Sequence, residues 1–534
     1  CYLYVQKHNL YLVEVENGKD KEPVQLTKDG AEEYSFAPGG GFGGGRRGGG
    51  IGENQEQRNL TSTTTTTTTT PPAPAVDRKT RPSATWSKDD KTFFVSRTDA
   101  RGIRELYLVN SLAEPRPALE KYGYPMPGED NIRKTELYYG NRASTQLTRL
   151  VPKWRDESYS NIHFGKTPDE LRFIRIDRLR RHMEFCTLNV KTGEQKCLLG
   201  EGFEAALLEM QPHRYLEESD EMIWWSERSG WGHYYLYDRM GKLKNPITAG
   251  SFRASRVVDV DPKTRTMWFT ANAREPQENV YYQHLYSIKL DGVGLTLLDP
   301  GHANHNSILS PTKQYLVDNS TRVDQGPFTV LRDATGRKVM DLEKTDLSRL
   351  QEVGWKMPET FIVKAADGVT DLYGNMWKPF DFDAKKKYPI IAHVYPGPQQ
   401  EGVTHTFSVG GNNQQMAQLG FIVIQVGHRG GTPARSKAYA SYGYFNMRDY
   451  GLADKKSAIE QLAARHAWID IEKVGIYGHS GGGFMSAAAL LQKPYNDFFK
   501  AAVASAVEPL LYHLSFHPPS PAAGSPCRPS SLRP

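Results

Sequence analysis

Over roughly the first three hundred residues, apolar and aromatic side chains alternate with polar ones in short runs that end in Asp, Gly, Lys and Asn. A period of two predicts half-buried β-strands. The runs Asn9 to Val15 before Glu16-Asn17-Gly18, Leu106 to Val109, Phe185 to Val190 before Thr192-Gly193, Tyr234 to Asp238, and Leu285 to Leu290 before Asp291-Gly292 share this form. Companion strands follow polar turns: Thr92 to Ser96 after Ser87-Lys88-Asp89-Asp90-Lys91, Thr266 to Thr270 after Asp261-Pro262-Lys263, and Gln314 to Val317 after Pro311-Thr312-Lys313. About six such pairs recur at roughly 40 to 60 residues, the period of β-propeller blades. A β-propeller is the expected architecture. A long β-sandwich array is the alternative, because it shares short strands and Asp/Gly turns.

Two stretches break the pattern. Gly39 to Gly50 is nearly pure Gly with two Arg, and Thr61 to Thr70 runs into Pro71-Pro72-Ala73-Pro74. Such composition buries too little apolar surface to order itself, so a disordered insertion over 39–84 is expected. It lacks the preceding strand, the following helix and the Lys-Ser/Thr pair that a phosphate-cradling loop would need.

From Glu359 the pattern changes. Runs at Thr360 to Ala365, Leu372 to Trp377, Ile390 to Tyr395 and Phe421 to Val426 become apolar on both faces. An amphipathic helix follows from Asp449 to Arg465, with Leu452, Ile459 and Leu462 on one stripe. A strand Val474 to Tyr477, a helix Gly481 to Leu491 and a strand Ala501 to Ala504 come next. Strands alternating with helices predict a parallel sheet covered on both sides. The expected organisation is a β-propeller over 1–350, a partial α/β-hydrolase domain over 351–506 and an irregular tail over 507–534.

Bulk composition excludes more than it selects. At 534 residues the chain exceeds what one hydrophobic core serves, so at least two domains are expected. With 38% hydrophobic residues and a mean hydropathy of −0.59, it contains no apolar run long enough to span a membrane. The net charge of +6 is spread along the chain and forms no basic stripe, so nucleic-acid binding has no support. Arg178, Arg180 and Arg181 read as a solvated strand edge or loop. The cysteines Cys1, Cys186, Cys197 and Cys527 are too few and too scattered for a disulfide scaffold or a zinc site. Cys186 and Cys197 flank the turn at Lys191 to Glu194, as a bridge across a hairpin or as two thiols. No cofactor and no metal are expected. The chain opens at Cys1 with no cleavable leader, which reads as a fragment or a processed form. Asn59-Leu60-Thr61 and Asn319-Ser320-Thr321 are glycosylation sequons.

Chemistry concentrates at Gly478-His479-Ser480-Gly481-Gly482, a G-x-S-x-G run between an apolar strand and a helix. A serine in a strained strand-to-helix turn needs small residues two positions to either side so that the backbones can pass. Ser480 is the expected nucleophile, and the Gly481 amide at the helix N-terminus is the expected oxyanion donor. The loop after the strand ending in His393-Val394-Tyr395 supplies the second donor in such folds, which makes the Tyr395 hydroxyl a candidate. A tyrosine packed on Pro396 and Pro398 is the plain alternative.

The segments Tyr395, Gly427-His428-Arg429-Gly430-Gly431 and Gly475 to Phe484 together resemble the catalytic domain of the prolyl oligopeptidase family, in its dipeptidyl peptidase IV-like branch. Trp225 to Tyr237 is similar to a propeller segment of that branch, and the resemblance runs over roughly 85 to 506. It implies a propeller restricting access to a hydrolase that cleaves peptide substrates through an acyl-enzyme, with a Ser-Asp-His triad. Ser480 would be the nucleophile, with Gly481 and Tyr395 as oxyanion donors. A homodimer and a periplasmic or secreted location are what the resemblance favours. Two features depart from it. The triad Asp and His belong well downstream of the serine, yet neither is found here. His513 and His517 stand too close behind Ala501 to Ala506 to serve, and read as tail residues. The chain is therefore expected to be cut short or shifted out of frame after Val507. The Glu-Glu pair that holds a substrate's amine in dipeptidyl peptidases has only Glu32-Glu33 as a counterpart, equally explained as a turn before Tyr34. The reading is a serine peptidase acting on short peptides, with an esterase and a non-catalytic binding scaffold as alternatives.

Overall fold

The computed structural model describes residues 1–38, 78–205, 211–396, 400–445 and 449–506. The two-residue period forms antiparallel meanders. Four successive sheets each have four strands, and strands adjacent in the chain are adjacent in the sheet. They begin at Ser158, Arg214, Arg253 and Asn304. A plain meander with no Greek-key return is the blade unit of a β-propeller and not of a sandwich. Before them, Thr92–Asp99 and Lys134–Asn141 form the centre of a five-stranded sheet, and Tyr2–Gln6 pairs with Asn9–Val13 in a three-stranded one. The expected strand at Leu106 to Val109 lies in a two-stranded hairpin, Glu105–Asn110 with Ala118–Gly123. Its alternation is real, but most of its side chains are exposed. Most of the expected insertion, 39–77, lies outside the described residues. Thr80 pairs with Val5, and Ala84–Trp86 lies against Thr92–Asp99.

The chain separates after Leu207 into two compact units, the second holding three blades and the α/β sheet. The segment Trp225 to Tyr237 builds the core of that unit. Trp225 donates its indole N–H to the Ala254 carbonyl at 2.8 Å, and a Cβ on Gly232 would lie 2.2 Å from the Trp225 ring. Tyr234 is fully buried, with its hydroxyl donated to the Ser255 carbonyl.

Between Lys344 and Glu359 the architecture changes. Six strands, β1 (Glu359–Lys364), β2 (Asp371–Trp377), β3 (Tyr388–His393), β4 (Ile422–Val426), β5 (Ile469–His479) and β6 (Ala501–Ser505), form one sheet in the order β1-β2-β4-β3-β5-β6. β1 and β2 are antiparallel, as are β2 and β4, and the remaining pairs are parallel. Helices α1 (Asn412–Ala417), α2 (Lys437–Ala440), α3 (Leu452–Arg465), α4 (Gly481–Leu491) and α5 (Tyr495–Phe498) follow in chain order. β5 starts five residues before the expected Val474, and its register against β3 slips between Pro389 and Ile390. The central strand β4 is buried along its whole length, whereas β3 and β5 alternate buried with partly exposed positions. Ile390 and Ala392 of β3, Ile422 and Ile424 of β4, and Ile476 of β5 pack against Leu452, Ile459 and Leu462 of α3 and Met485 and Ala489 of α4. Each large side chain so buried contributes about 1.5–3 kcal/mol, which explains why β4 reads as a continuous apolar run. Among the described residues no helix is long and apolar enough to cross a membrane.

Two buried polar groups pin α3 and the loop after β4. Asp454 is 0% exposed and accepts from the Arg429 backbone N–H at 2.9 Å, from Arg429 Nη2 at 2.8 Å and from the Ala366 N–H at 2.9 Å. Its neighbour Lys455, equally buried, donates to the Val426 carbonyl, and burial lowers its pKa to about 8. His428 is also fully buried, reaching only the Tyr450 hydroxyl at 3.3 Å through Nε2. Burial, and then the nearby Lys455 charge, hold its pKa well below the ordinary value. Removing one partner from a buried ion pair strands the other, so Asp454→Ala is expected to cost about 3–5 kcal/mol, read as a lower urea midpoint. A cost below about 1 kcal/mol would show that the pair is not structural. His428 is neutral when folded and takes up a proton on unfolding. Its contribution is therefore intact above about pH 6.5 and is lost as pH falls through that value. His405, lowered to about 4 by burial, acts in the same window. Thermal midpoints should fall with pH below about 6.5, and His428→Gln should flatten that slope. Parallel slopes for variant and parent would refute the assignment to His428.

Candidate active site

β5 carries Gly478-His479-Ser480 to its C-terminal end, and α4 begins at the next residue. Ser480 has φ 55° and ψ −118°, a backbone conformation that costs a non-glycine residue about 1–3 kcal/mol. Neighbours hold it there: the Ser480 N–H donates to the Ser505 carbonyl of β6 at 2.9 Å, and the Phe484 N–H to the Ser480 carbonyl at 3.0 Å. The glycines around it have no room for a side chain. A Cβ on Gly478 would lie 2.4 Å from the Val394 carbonyl oxygen, one on Gly482 2.1 Å from the same atom, and one on Gly483 2.4 Å from the Ser505 carbonyl oxygen. The G-x-S-x-G spacing is thus a packing requirement between β3, β5 and α4. Ser480 is exposed and its side chain does not cap the helix. The first amides of α4, Gly481 foremost, have no earlier helical carbonyl to bond and bring the positive end of the helix dipole to the serine.

Tyr395 lies two residues beyond the end of β3. β3 and β5 are parallel neighbours, with His393 opposite Tyr477 and the Val394 N–H donating to the Tyr477 carbonyl at 2.9 Å. Tyr395 and Ser480 therefore leave the C-terminal ends of adjacent strands, where open α/β sheets place their sites. A Cβ on Gly482 would lie 3.6 Å from the Tyr395 Cα, so the Tyr395 backbone borders the first turn of α4. Tyr395 is half-buried, as a residue at the rim of a site would be. His513 and His517 lie outside the described residues. Among the described residues no side chain is hydrogen-bonded to the Ser480 hydroxyl, and the adjacent His479 ring sits 2.9 Å from Ser505 Oγ.

Sequence reasoning missed the support of the Tyr395 loop. Glu401 is buried, with its Oε1 2.5 Å from the Tyr439 hydroxyl and bonded also by the Tyr281 hydroxyl of the blade that begins at Arg253. Burial raises its pKa, opposed by the two phenol hydrogen bonds. Gly402, at φ +68°, would place a Cβ 2.8 Å from the Tyr395 Cβ. A Cβ on Gly427 would lie 2.1 Å from Glu401 Oε2, and one on Gly431 2.6 Å from Glu401 Cγ. The Gly427 to Gly431 run was visible in the sequence, but the carboxylate it makes room for was not.

His284, Asp299 and His305 offer ligand atoms within 4.8 Å of one another. Their hydrogen bonds point elsewhere: His284 faces Asp299 Oδ1 at 3.3 Å and Glu278 Oε2 at 3.0 Å, and His305 faces Asp318 Oδ1 at 2.7 Å and the Gly301 carbonyl at 2.9 Å. All four partners offer oxygen lone pairs, so each of these ring nitrogens that carries a proton has an acceptor to donate to. Burial opposes the charged form of His284, but these carboxylates outweigh it and raise its pKa to about 10. Glu32 and Glu33 are exposed in a turn closed by pairing of Ala31 with Tyr34.

Residues 79–327 match the model of the dipeptidyl peptidase IV N-terminal region, and residues 407–516 that of the prolyl oligopeptidase family. The chain is 28% identical to human dipeptidyl peptidase 8 over 278 residues, 49% of this chain and 30% of the relative. It is 26% identical to dipeptidyl aminopeptidase A of Saccharomyces cerevisiae over 461 residues, 79% of this chain and 48% of that protein. It thus spans under half the length of these relatives. Among solved structures, Porphyromonas gingivalis dipeptidyl peptidase 4 superposes with a TM-score of 0.72 at 21% identity, covering 95% of this chain and 66% of that one. A putative dipeptidyl aminopeptidase IV from Bacteroides ovatus gives 0.68 at 24% identity, covering 82% and 65%. With blades matching the first model and the Ser480 elbow inside the second, the chain belongs to the prolyl oligopeptidase family, in its dipeptidyl peptidase IV-like branch.

Proposed function

We propose that this protein is a serine peptidase that hydrolyses short peptides, dipeptidyl peptidase-like, through an acyl-enzyme on Ser480. The observation that carries the proposal is the strained, exposed Ser480 held between β5 and α4 by glycines that nothing larger could replace. Strain of this kind persists where it positions a reacting group. In this reading Ser480 Oγ attacks the scissile carbonyl, and the new oxyanion accepts from the Gly481 amide and the Tyr395 hydroxyl. An imidazole base and its orienting carboxylate complete such a mechanism, and neither is assigned here. The propeller is read as extending to about residue 350 and the catalytic domain as 351–506, with blades that sieve substrates by size. A homodimer belongs to the same reading on family grounds.

In a full-length version that supplies the base and its carboxylate, a fluorophosphonate probe should form an adduct that peptide mapping places on Ser480, and Ser480→Ala should not be labelled; equal labelling of the two proteins would end the proposal. Ala-Pro and Gly-Pro anilides should be hydrolysed in preference to simple aryl esters. Ester turnover with no anilide cleavage would favour the esterase. For the second donor, Tyr395→Phe should lower kcat by about 10²–10³ with KM little changed. A change confined to KM would make Tyr395 a substrate-binding residue.

A further inference from the structure

Within the second compact unit, the segment from Glu401 to Phe407 runs between the blades and the sheet, and side chains from both hold it. Tyr281 lies in the connection between strands Thr266–Asn272 and Gln283–Lys289 of the blade that begins at Arg253. Its hydroxyl donates to Glu401 Oε1, and its ring stacks on His405 with centroids 4.8 Å apart. Further along, the Phe407 N–H donates to Thr321 Oγ1 of the blade that begins at Asn304 at 3.1 Å. The sheet holds the same segment through Asn375 of β2, which donates to the Thr404 carbonyl at 2.6 Å, and Gln425 of β4, whose Oε1 accepts from the Thr404 N–H at 3.2 Å.

Tyr281 is itself fixed on both sides. Asn272 donates one amide hydrogen to the Val280 carbonyl and the other to the Ala434 carbonyl, each at 2.7 Å. The backbone beside Tyr281 is thereby joined to the segment leading into α2, and Tyr373 of β2 meets the Tyr281 ring in a T-shaped contact at 5.8 Å. Tyr439 of α2 brings a second hydroxyl to Glu401 Oε1 at 2.5 Å, but the same hydroxyl also faces the His428 carbonyl at 2.8 Å. Its single proton is divided between two acceptors, whereas the only other acceptor near the Tyr281 proton is the Tyr439 oxygen, further off at 3.4 Å. Glu401 Oε2 is buried without a hydrogen-bond partner among the described residues, so the carboxylate is held through Oε1.

The next residue, Gly402, lies against the Tyr395 backbone. A Cβ there would sit 2.8 Å from the Tyr395 Cβ and 3.0 Å from the Tyr395 nitrogen, so Glu401 cannot shift without moving Gly402 against Tyr395 or away from it. We propose that Tyr281 is a positioning residue for Tyr395, acting through Glu401 and Gly402. The catalytic consequence rests on the reading of Tyr395 as an oxyanion donor. Such a donor acts only when held at hydrogen-bond distance from the forming oxygen, and a misplacement of about 1 Å costs about 10²-fold in rate. The propeller then contributes to turnover directly as well as by limiting access.

The contact is tested first without turnover. With 3-fluorotyrosine placed at position 395 of the 534-residue chain, Tyr281→Phe should shift or broaden the ¹⁹F line. Tyr237→Phe, which removes a buried hydroxyl bonded to Arg228 in the blade that begins at Arg214, should leave that line in place. A line unchanged by Tyr281→Phe, or moved equally by both variants, would overturn the proposal. Turnover of an Ala-Pro anilide is then measured in a full-length version that supplies the base and its carboxylate. Tyr281→Phe should lower kcat about tenfold with KM within about twofold. Added to Tyr395→Phe it should lower kcat no further, because the hydroxyl it positions is already gone. Losses that multiply in the double variant would show that Tyr281 acts independently of Tyr395 and would also overturn the proposal. Full turnover by Tyr395→Phe alone would instead end the oxyanion reading, and the fluorine line by itself then decides whether Tyr281 holds Tyr395.

Discussion

The carbonyl oxygen of Val394 occupies the space that a side chain at Gly478 or Gly482 would need, and the local architecture of the site follows from that contact. It lets β5 turn abruptly into α4 while β3 passes alongside, so the turn residue Ser480 adopts a positive φ that its own side chain disfavours. The cost is met by bonds on either side, to the Ser505 carbonyl and from the Phe484 amide. Enlarging a glycine here would move the serine and the Tyr395 loop together, because both are set against the same oxygen.

A second constraint lies one layer away. Glu401 is buried between Tyr439 of α2 and Tyr281 of the blade that begins at Arg253, and Gly427 and Gly431 make room for it. A carboxylate with two phenolic donors in a dry site has few alternative arrangements, since any displacement leaves polar groups unpaired. Within the second compact unit this ties a blade to the sheet close to the Tyr395 loop, while Asp454 and Lys455 anchor α3 to the strand ends through Arg429 and the Val426 carbonyl. The polar interior thus specifies geometry where the apolar core, dense but non-directional, specifies only proximity.

The blades use the same division of labour with different chemistry. Trp225 and Tyr234 bury large rings and place their polar atoms on backbone carbonyls, so the aromatic run that resembles a known family serves packing. His284 and His305 form a buried hydrogen-bonded network with Asp299, Asp318 and Glu278.

Much of this was legible along the chain. Period-two alternation located the blade strands, runs apolar on both faces located β3 and β4, the short strand Val474 to Tyr477 located the second half of β5, and α4 was bounded correctly at Gly481 and Leu491 because a glycine-rich turn and an apolar run are local signals. Ser480, Gly481 and Tyr395 were named from their residue types and spacing, and the fold brings them to one end of the sheet. The hairpin at Glu105–Asn110 misled, since alternation reports a strand but not whether anything covers it. Glu401, Tyr281 and Tyr439 were invisible because Tyr281 lies 120 positions and Tyr439 38 positions from Glu401, separations that no local pattern encodes. Cys186 and Cys197 were noticed as neighbours of a turn, but only the register of two strands, set by the bulge at Leu198, decided that they face each other. The sequence determined the elements and the reacting residue types through local sterics and periodicity, whereas burial, register and long-range charge pairing exist only once the chain has folded.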